Sequence, residues 1–163
     1  MVGGKLYKRS IIETYNICFD PNIAVTEDLL FNFWYVEFCR EVVYNSSALY
    51  GYLQRKNSAA HRTVSPLWFT CLLSYRRLAE RYSNSAAYAD IVYYYLKNLY
   101  ESRYYWKRGK IDPGNIPVDI DSEVQIYEQK LGILPLKRIV SLCVHKWFFG
   151  LVLLRREKKW RSF

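Results

Sequence analysis

The sequence has little of what most catalytic sites are built from. Only two histidines occur among the 163 residues, and neither His61 nor His145 has a candidate nucleophile nearby in the sequence. A glycine-rich phosphate loop, a GxSxG nucleophile elbow and an HExxH zinc motif are also missing. A lone histidine on an apolar helix, such as His145, is typical of a structural role. We therefore expect a protein that is not an enzyme and that acts by binding other molecules.

Metal-site and disulfide patterns are missing as well. The four cysteines are spread along the chain at positions 18, 39, 71 and 143, with no CxxC pair and no histidine cluster beside them. This spacing argues against both a zinc site and a disulfide framework, and it favours a reducing compartment. The acidic residues Asp119, Asp121 and Glu123 could hold a cation, but carboxylates at a helix start explain them more simply. We expect no metal site.

Signals for β-strands and membrane spans are scarce. The chain has no Asn-Gly or Asp-Gly pair and no clean alternation of apolar and polar residues. The best candidate for a span, residues 139–154, is short for a bilayer and contains His145 and Lys146. We therefore expect an all-α protein without a membrane span.

Aromatic residues and positive charge are abundant instead. Sixteen tyrosines, eight phenylalanines and five tryptophans make up 18% of the chain. Tyrosine combines a large apolar face with a polar tip, so it suits both a core and a partly wet interface, and both interpretations stay open. The net charge of +9 favours an anionic partner, such as nucleic acid, an acidic protein or a lipid surface.

The positive charge is concentrated at the C-terminal end. Residues 136–163 contain eight lysines or arginines and one acidic residue, Glu157. Near the end of this segment, basic residues surround an aromatic side chain that can stack on a base, which predicts a phosphate- or nucleic-acid-binding site. The residues of this predicted site are Arg155, Arg156, Lys158, Lys159, Trp160 and Arg161. The alternative is a solvated helix end that complements the helix dipole.

Apolar residues recur at helical spacing along most of the chain, and they predict three segments. Residues 1–60 form an N-terminal helical extension, residues 65–139 form a three-helix bundle, and residues 140–163 form a basic C-terminal helix or tail. A polar linker over residues 57–64 separates the first two segments.

Helix-start signals are found in both of the first two segments. Thr26 is expected to cap a helix in the extension. In the bundle, Ser65 is the expected cap before Pro66, because proline at the first helical position loses no hydrogen bond. A second bundle helix is expected over residues 85–108 and a third from near Asp121.

Two short elements of this bundle carry a family resemblance. Residues 73–78 read Leu-Ser-Tyr-Arg-Arg-Leu, and residues 99–108 read Leu-Tyr-Glu-Ser-Arg-Tyr-Tyr-Trp-Lys-Arg. They resemble the LYR-motif family, small three-helix mitochondrial proteins with Leu-Tyr-Arg in the first helix and Phe-Arg near the end of the second. The chain departs from that pattern, because Ser74 replaces the leucine, Tyr104 the phenylalanine and Tyr105 the arginine.

The resemblance implies a partner and a set of contact residues. Members of the family typically bind mitochondrial acyl carrier protein, whose phosphopantetheine-linked acyl chain inserts between the three helices. No cofactor would be bound directly, since the carrier presents the acyl-phosphopantetheine. The implied carrier-binding residues are Tyr75, Arg76, Arg77, Arg81, Arg103, Tyr104, Lys107 and Arg108. The alternative is that the two tyrosines pack in the core and the basic residues are solvated.

The function implied by the resemblance is that of an adaptor in the mitochondrial matrix, which docks the carrier onto a large assembly. The basic tail favours the mitochondrial ribosome or its assembly intermediates, because rRNA is the largest polyanion nearby. One alternative is an accessory subunit of a respiratory-chain complex. Another is a basic ribosomal subunit that binds rRNA and has no carrier partner.

A second stretch of the chain fits the same motif in an earlier register. Residues 6–12 read Leu-Tyr-Lys-Arg-Ser-Ile-Ile, and residues 37–40 read Glu-Phe-Cys-Arg. This register keeps the leucine and the phenylalanine of the family, but no convincing third helix precedes the linker. We prefer the later register and keep the earlier one as an alternative.

Overall fold

Every regular element in the part of the chain that the structure describes is a helix. The computed structural model describes residues 3–47, 49–51, 65–108 and 118–161, of which residues 150–161 are described in their backbone alone. The six α-helices are α1 Arg9–Thr14, α2 Glu27–Glu37, α3 Cys71–Arg81, α4 Tyr88–Lys107, α5 Ile120–Glu128 and α6 Leu136–Arg161. Short 3-10 helices at Pro66–Thr70 and Leu131–Ile133 precede α3 and α6. The all-α prediction is confirmed.

The chain divides into two compact units, residues 1–74 and 75–163, with the boundary inside α3. The division predicted from the sequence, at residues 60 and 139, stays a prediction. The predicted polar linker at residues 57–64 lies outside the described residues. None of the described helices is long and apolar enough to cross a membrane.

An aromatic cluster forms the core of the first unit. Ile17, Phe31 and Tyr35 are buried there. The Tyr7 ring meets Phe31 and Tyr35 edge-on, with centroids 5.4 and 4.9 Å away, and its hydroxyl donates a hydrogen bond of 2.7 Å to Asn32 Oδ1. Tyr7, the tyrosine of the earlier register, therefore packs against the core of this unit.

Two helix starts lie where the sequence indicates, but their side chains do not cap them. Thr26 precedes α2 with a φ of 69° and makes no side-chain cap, and this left-handed conformation is costly for a β-branched residue. Its carbonyl accepts a hydrogen bond of 3.3 Å from Ser74 Oγ. Ser65 makes no side-chain cap either, and Pro66 begins a 3-10 helix rather than an α-helix.

The start of α5 follows the expected capping chemistry. The Asp119 carboxylate accepts hydrogen bonds of 3.1 Å from the Asp121 N–H and 3.2 Å from the Ser122 N–H. It also accepts one of 2.7 Å from the Ser122 hydroxyl. These bonds, chiefly the one from the Ser122 hydroxyl, lower the pKa of Asp119. The carboxylate therefore fixes the first turn of the helix, near the predicted position.

Helix α4 is the centre of the second unit and packs against both α5 and α6. Its buried apolar residues recur at three- and four-residue spacing, as expected for a helix packed on several neighbours. They include Ile91, Val92, Tyr95, Leu96 and Leu99. Helix α6 buries Leu142, His145 and Phe149. This arrangement places the predicted carrier-binding residues on α3 and on the last turns of α4.

Candidate functional site

A buried carboxylate connects α4 and α5 with the second half of α3. The Tyr95 hydroxyl donates a hydrogen bond of 2.9 Å to Glu123 Oε2, and Arg76 Nε lies 3.6 Å from Glu123 Oε1. Burial raises the pKa of Tyr95, and the charge of Glu123 raises it further. The same carboxylate raises the pKa of Arg76. Tyr95 is therefore a neutral hydrogen-bond donor to Glu123. Arg76 is a cation that forms an ion pair with the same carboxylate.

The predicted carrier-binding residues of α3 divide into packed and exposed ones. The half-buried Tyr75 ring stacks on Tyr95 at a centroid distance of 6.2 Å. Arg76 forms a second ion pair of 3.2 Å with Glu80 on its own helix. Arg77 and Arg81 are exposed. The aromatic of the first motif thus packs on the bundle, as the alternative interpretation expected, while two arginines face solvent.

One carboxylate of α5 pairs with two of the predicted residues at the end of α4. Asp121 Oδ1 lies 2.7 Å from Arg103 Nε, and Asp121 Oδ2 lies 2.9 Å from Lys107 Nζ. The half-buried Tyr104 ring contacts Phe149 edge-on at 5.2 Å. The guanidinium of the exposed Arg108 lies over the Tyr104 ring, 5.0 Å from its centroid. Four of the eight predicted residues therefore occupy one end of α4.

We call the six predicted basic residues on α3 and α4 the basic rim. Its members are Arg76, Arg77, Arg81, Arg103, Lys107 and Arg108. Glu80, Asp121 and Glu123 each pair with a member of the rim. The rim gathers six basic side chains on α3 and at the end of α4, and such a surface suits an anionic partner.

The roles of these acidic partners were missed in the sequence. The sequence predicts Asp121 and Glu123 at a helix start, and both do lie in the first turn of α5, but both also pair with basic residues far away in the chain. The sequence did contain one signal for a buried Glu123. This residue precedes Tyr127 by four positions, so both side chains lie on the same inward-facing side of α5. The described residues contain no group of side chains able to hold a metal ion.

A second buried pair connects α4 with α6. His145 Nε2 lies 2.9 Å from Glu101 Oε1, although the orientation of the two groups is not that of a hydrogen bond. Phe149 packs on the imidazole at a centroid distance of 4.7 Å. The Ser102 hydroxyl is buried nearby on α4, without a hydrogen-bond partner among the described residues. The interior of this unit therefore contains polar groups beside the apolar ones.

A third polar contact joins three helices of this unit, α4, α5 and α6. Glu128 Oε1 on α5 accepts hydrogen bonds of 2.7 Å from both Tyr100 on α4 and Lys146 on α6. Partial burial raises the pKa of Glu128, but the bonds from Lys146 and Tyr100 outweigh that effect, so the pKa is lowered overall. Burial raises the pKa of the neighbouring Tyr127 to about 12. The carboxylate of Glu128 is thus held in its charged form.

The predicted phosphate-binding residues belong to the last turns of α6. Their backbone is helical as far as Arg161, but their side chains lie outside the described residues. The residues concerned are Arg155, Arg156, Lys158, Lys159, Trp160 and Arg161. Their contact with phosphate stays a prediction.

Comparison with known proteins does not place the chain in a family. No protein-family model matches it, and no curated protein or solved structure does either. The likeness to the LYR-motif family therefore stays a prediction that rests on the two short elements on α3 and α4.

Proposed function

We propose that the protein is a non-catalytic, LYR-like adaptor of the mitochondrial matrix, which docks acyl carrier protein onto a large assembly. The observation that carries this proposal is the basic rim beside two half-buried tyrosines, Tyr75 and Tyr104, within one compact unit. An acidic carrier and its phosphate are attracted to such a surface, and arginine suits phosphate because it donates two parallel hydrogen bonds.

The ion pairs within the rim determine which residues can test this proposal. Arg76 lies beside the buried Glu123, so a glutamate at position 76 would face a second carboxylate and destabilise the fold by itself. Arg103 and Lys107 share Asp121, and their loss would disturb the start of α5. Arg77 and Arg81 are exposed and lie four residues apart on one side of α3. Because their side chains are exposed, charge reversal there should disturb the packing of the bundle least.

The double substitution Arg77→Glu with Arg81→Glu is expected to abolish co-purification of acyl carrier protein. It reverses the charge that attracts the acidic carrier, whereas surface changes usually alter folding stability by only about 0.5 kcal/mol. The measurement is co-expression with the carrier, followed by affinity purification and calorimetric titration. Circular dichroism and thermal unfolding verify that the variant stays helical.

The matched control is Lys8→Glu with Arg9→Glu, which makes the same change of charge in the earlier register. Both residues are exposed, and carrier binding should survive this change. If carrier binding is instead lost only in the variant with changes at positions 8 and 9, the docking site belongs to the earlier register. Carrier binding that survives both double substitutions, or that is absent from the unaltered protein, would contradict the proposal.

The basic tail favours a ribosomal host for this adaptor, because its predicted phosphate contacts suit rRNA. Neutralising Arg155, Arg156, Lys158 and Lys159 should flatten the salt dependence of binding to rRNA. Each lost contact removes about 0.7 to 0.9 from the slope of log affinity against log salt concentration. The measurement is a filter-binding titration over a series of salt concentrations, and an unchanged slope would show that the tail is solvated.

Affinity purification from mitochondria separates the proposed hosts. The ribosomal adaptor predicts that the carrier and ribosomal proteins are recovered together. Recovery of respiratory-chain subunits together with the carrier would instead support the alternative of an accessory subunit. Ribosomal proteins and rRNA without the carrier would support a plain RNA-binding subunit, in which the basic rim and the tail both contact phosphate.

A further inference from the structure

Phe149 of α6 is buried among aromatic rings at the end of α4. Only 2% of its surface is exposed. The rings of Tyr104 and Tyr105 meet it edge-on, with centroids 5.2 and 5.9 Å away, and the imidazole of His145 lies 4.7 Å from it on the same helix. Aromatic rings in contact have preferred relative orientations, so this group of rings fixes how the Phe149 side chain lies.

A buried polar pair fixes the imidazole within this group. His145 Nε2 on α6 lies 2.9 Å from Glu101 Oε1 on α4, and both residues are buried. In a close-packed interior, a side chain that lies between two neighbours cannot change its rotamer without displacing one of them. Glu101 and His145 therefore help to keep Phe149 in place.

Tyr104 connects this buried group to the basic rim. Its half-buried ring contacts Phe149, and the guanidinium of the exposed Arg108 lies 5.0 Å from the centroid of the same ring. A cation is attracted to the face of an aromatic ring, so the orientation of the Tyr104 ring influences where the charge of Arg108 lies. Phe149 is uncharged and buried, but it can affect a surface charge through Tyr104.

We propose that Phe149 is a positioning residue of the carrier-binding surface, and that it holds Tyr104 in the orientation in which this ring and Arg108 meet the acyl carrier. The inference rests on the proposed adaptor function and adds a residue that lies outside both motif elements. Side chains that are oriented before binding lower the ordering cost of the complex. If the oriented conformer falls to about a tenth of the population, the apparent affinity falls about tenfold.

Phe149→Leu is expected to weaken carrier binding about tenfold. Leucine keeps part of the apolar volume but has no ring to contact Tyr104, and it changes neither the charge of the chain nor any member of the basic rim. The measurement is a calorimetric titration of the full chain with acyl carrier protein. Thermal unfolding and circular dichroism verify that the variant is folded at the temperature of the titration.

The matched control is Ile91→Ala, which removes the same number of carbon atoms from another buried side chain of this unit. Ile91 lies in the first turn of α4 and Tyr104 near its end, so at about 1.5 Å per residue they are about 20 Å apart along the helix. Carrier binding should survive this change. Equal losses in the two variants would show that general loosening of the bundle weakens binding, and would overturn the positioning role.

A measurement on the free protein separates positioning from binding. 4-Fluorophenylalanine introduced at position 104 keeps the ring, and fluorine-19 relaxation then reports how freely that ring moves. Phe149→Leu should increase this mobility, and Ile91→Ala should leave it unchanged. Unchanged mobility in the Phe149→Leu chain, or carrier binding as tight as that of the unaltered chain, would overturn the positioning role alone. If the unaltered chain does not bind the carrier, the adaptor proposal itself fails, so the two failures are distinct.

Discussion

Replacing His145 by leucine is expected to lower the free energy of unfolding by about 1–3 kcal/mol, because the change leaves a buried carboxyl group without its polar neighbour. His145 Nε2 and Glu101 Oε1 are 2.9 Å apart, and both residues are only 8% exposed. Removing one member of such a pair costs more than the pair itself contributes, since the remaining group stays out of water. Urea denaturation followed by circular dichroism measures the loss.

The double substitution Glu101→Leu with His145→Leu should recover most of that stability. Replacing both members of a buried polar pair by apolar residues is often neutral or stabilising. Glu13→Leu is the control, because it breaks the exposed pair with Arg9 and should cost at most about 1 kcal/mol. If the two single losses at positions 101 and 145 simply add in the double variant, burial of an unpartnered polar group is not the cause.

Replacing Tyr95 by alanine is expected to lower the free energy of unfolding by about 3–5 kcal/mol. The Tyr95 side chain is fully buried. Its ring stacks on Tyr75 and meets Tyr127 edge-on, with centroids 6.2 and 4.7 Å away. The substitution removes these contacts and leaves a cavity beside the Glu123 carboxylate. Chemical denaturation measures the change.

Tyr95→Phe separates packing from hydrogen bonding at this position. It keeps the ring and removes only the donor to Glu123, so the expected cost is about 1.5–3 kcal/mol for a bond to a charged group. The neighbouring exposed Tyr94 provides the control, because Tyr94→Ala should change stability by about 0.5 kcal/mol. Equal losses in the alanine and phenylalanine variants would mean that the hydroxyl, rather than the packed ring, accounts for the stability.

Local features of the sequence were sufficient to predict the helices. The start of α5 depends on Asp119 and Ser122 in its own first turn, and such contacts between near neighbours can be inferred from spacing. Where the start of a helix also depends on residues far away in the chain, the prediction from the sequence was incomplete. Thr26 precedes α2 but adopts a left-handed conformation, and its carbonyl accepts a hydrogen bond from Ser74.

The sequence by itself determined the all-α class, the periodicity of α4 and the excess of positive charge, because these depend on composition and on residues within a few positions of each other. Only the tertiary structure decided how the charges are paired. Arg103 meets Asp121, and Glu101 meets His145, although each pair is far apart in the chain. Linear spacing carries no information on which helices become neighbours, since that depends on how the buried faces pack together. The same packing decided which side of α6 is covered, and it left Val140, Val144 and Trp147 exposed.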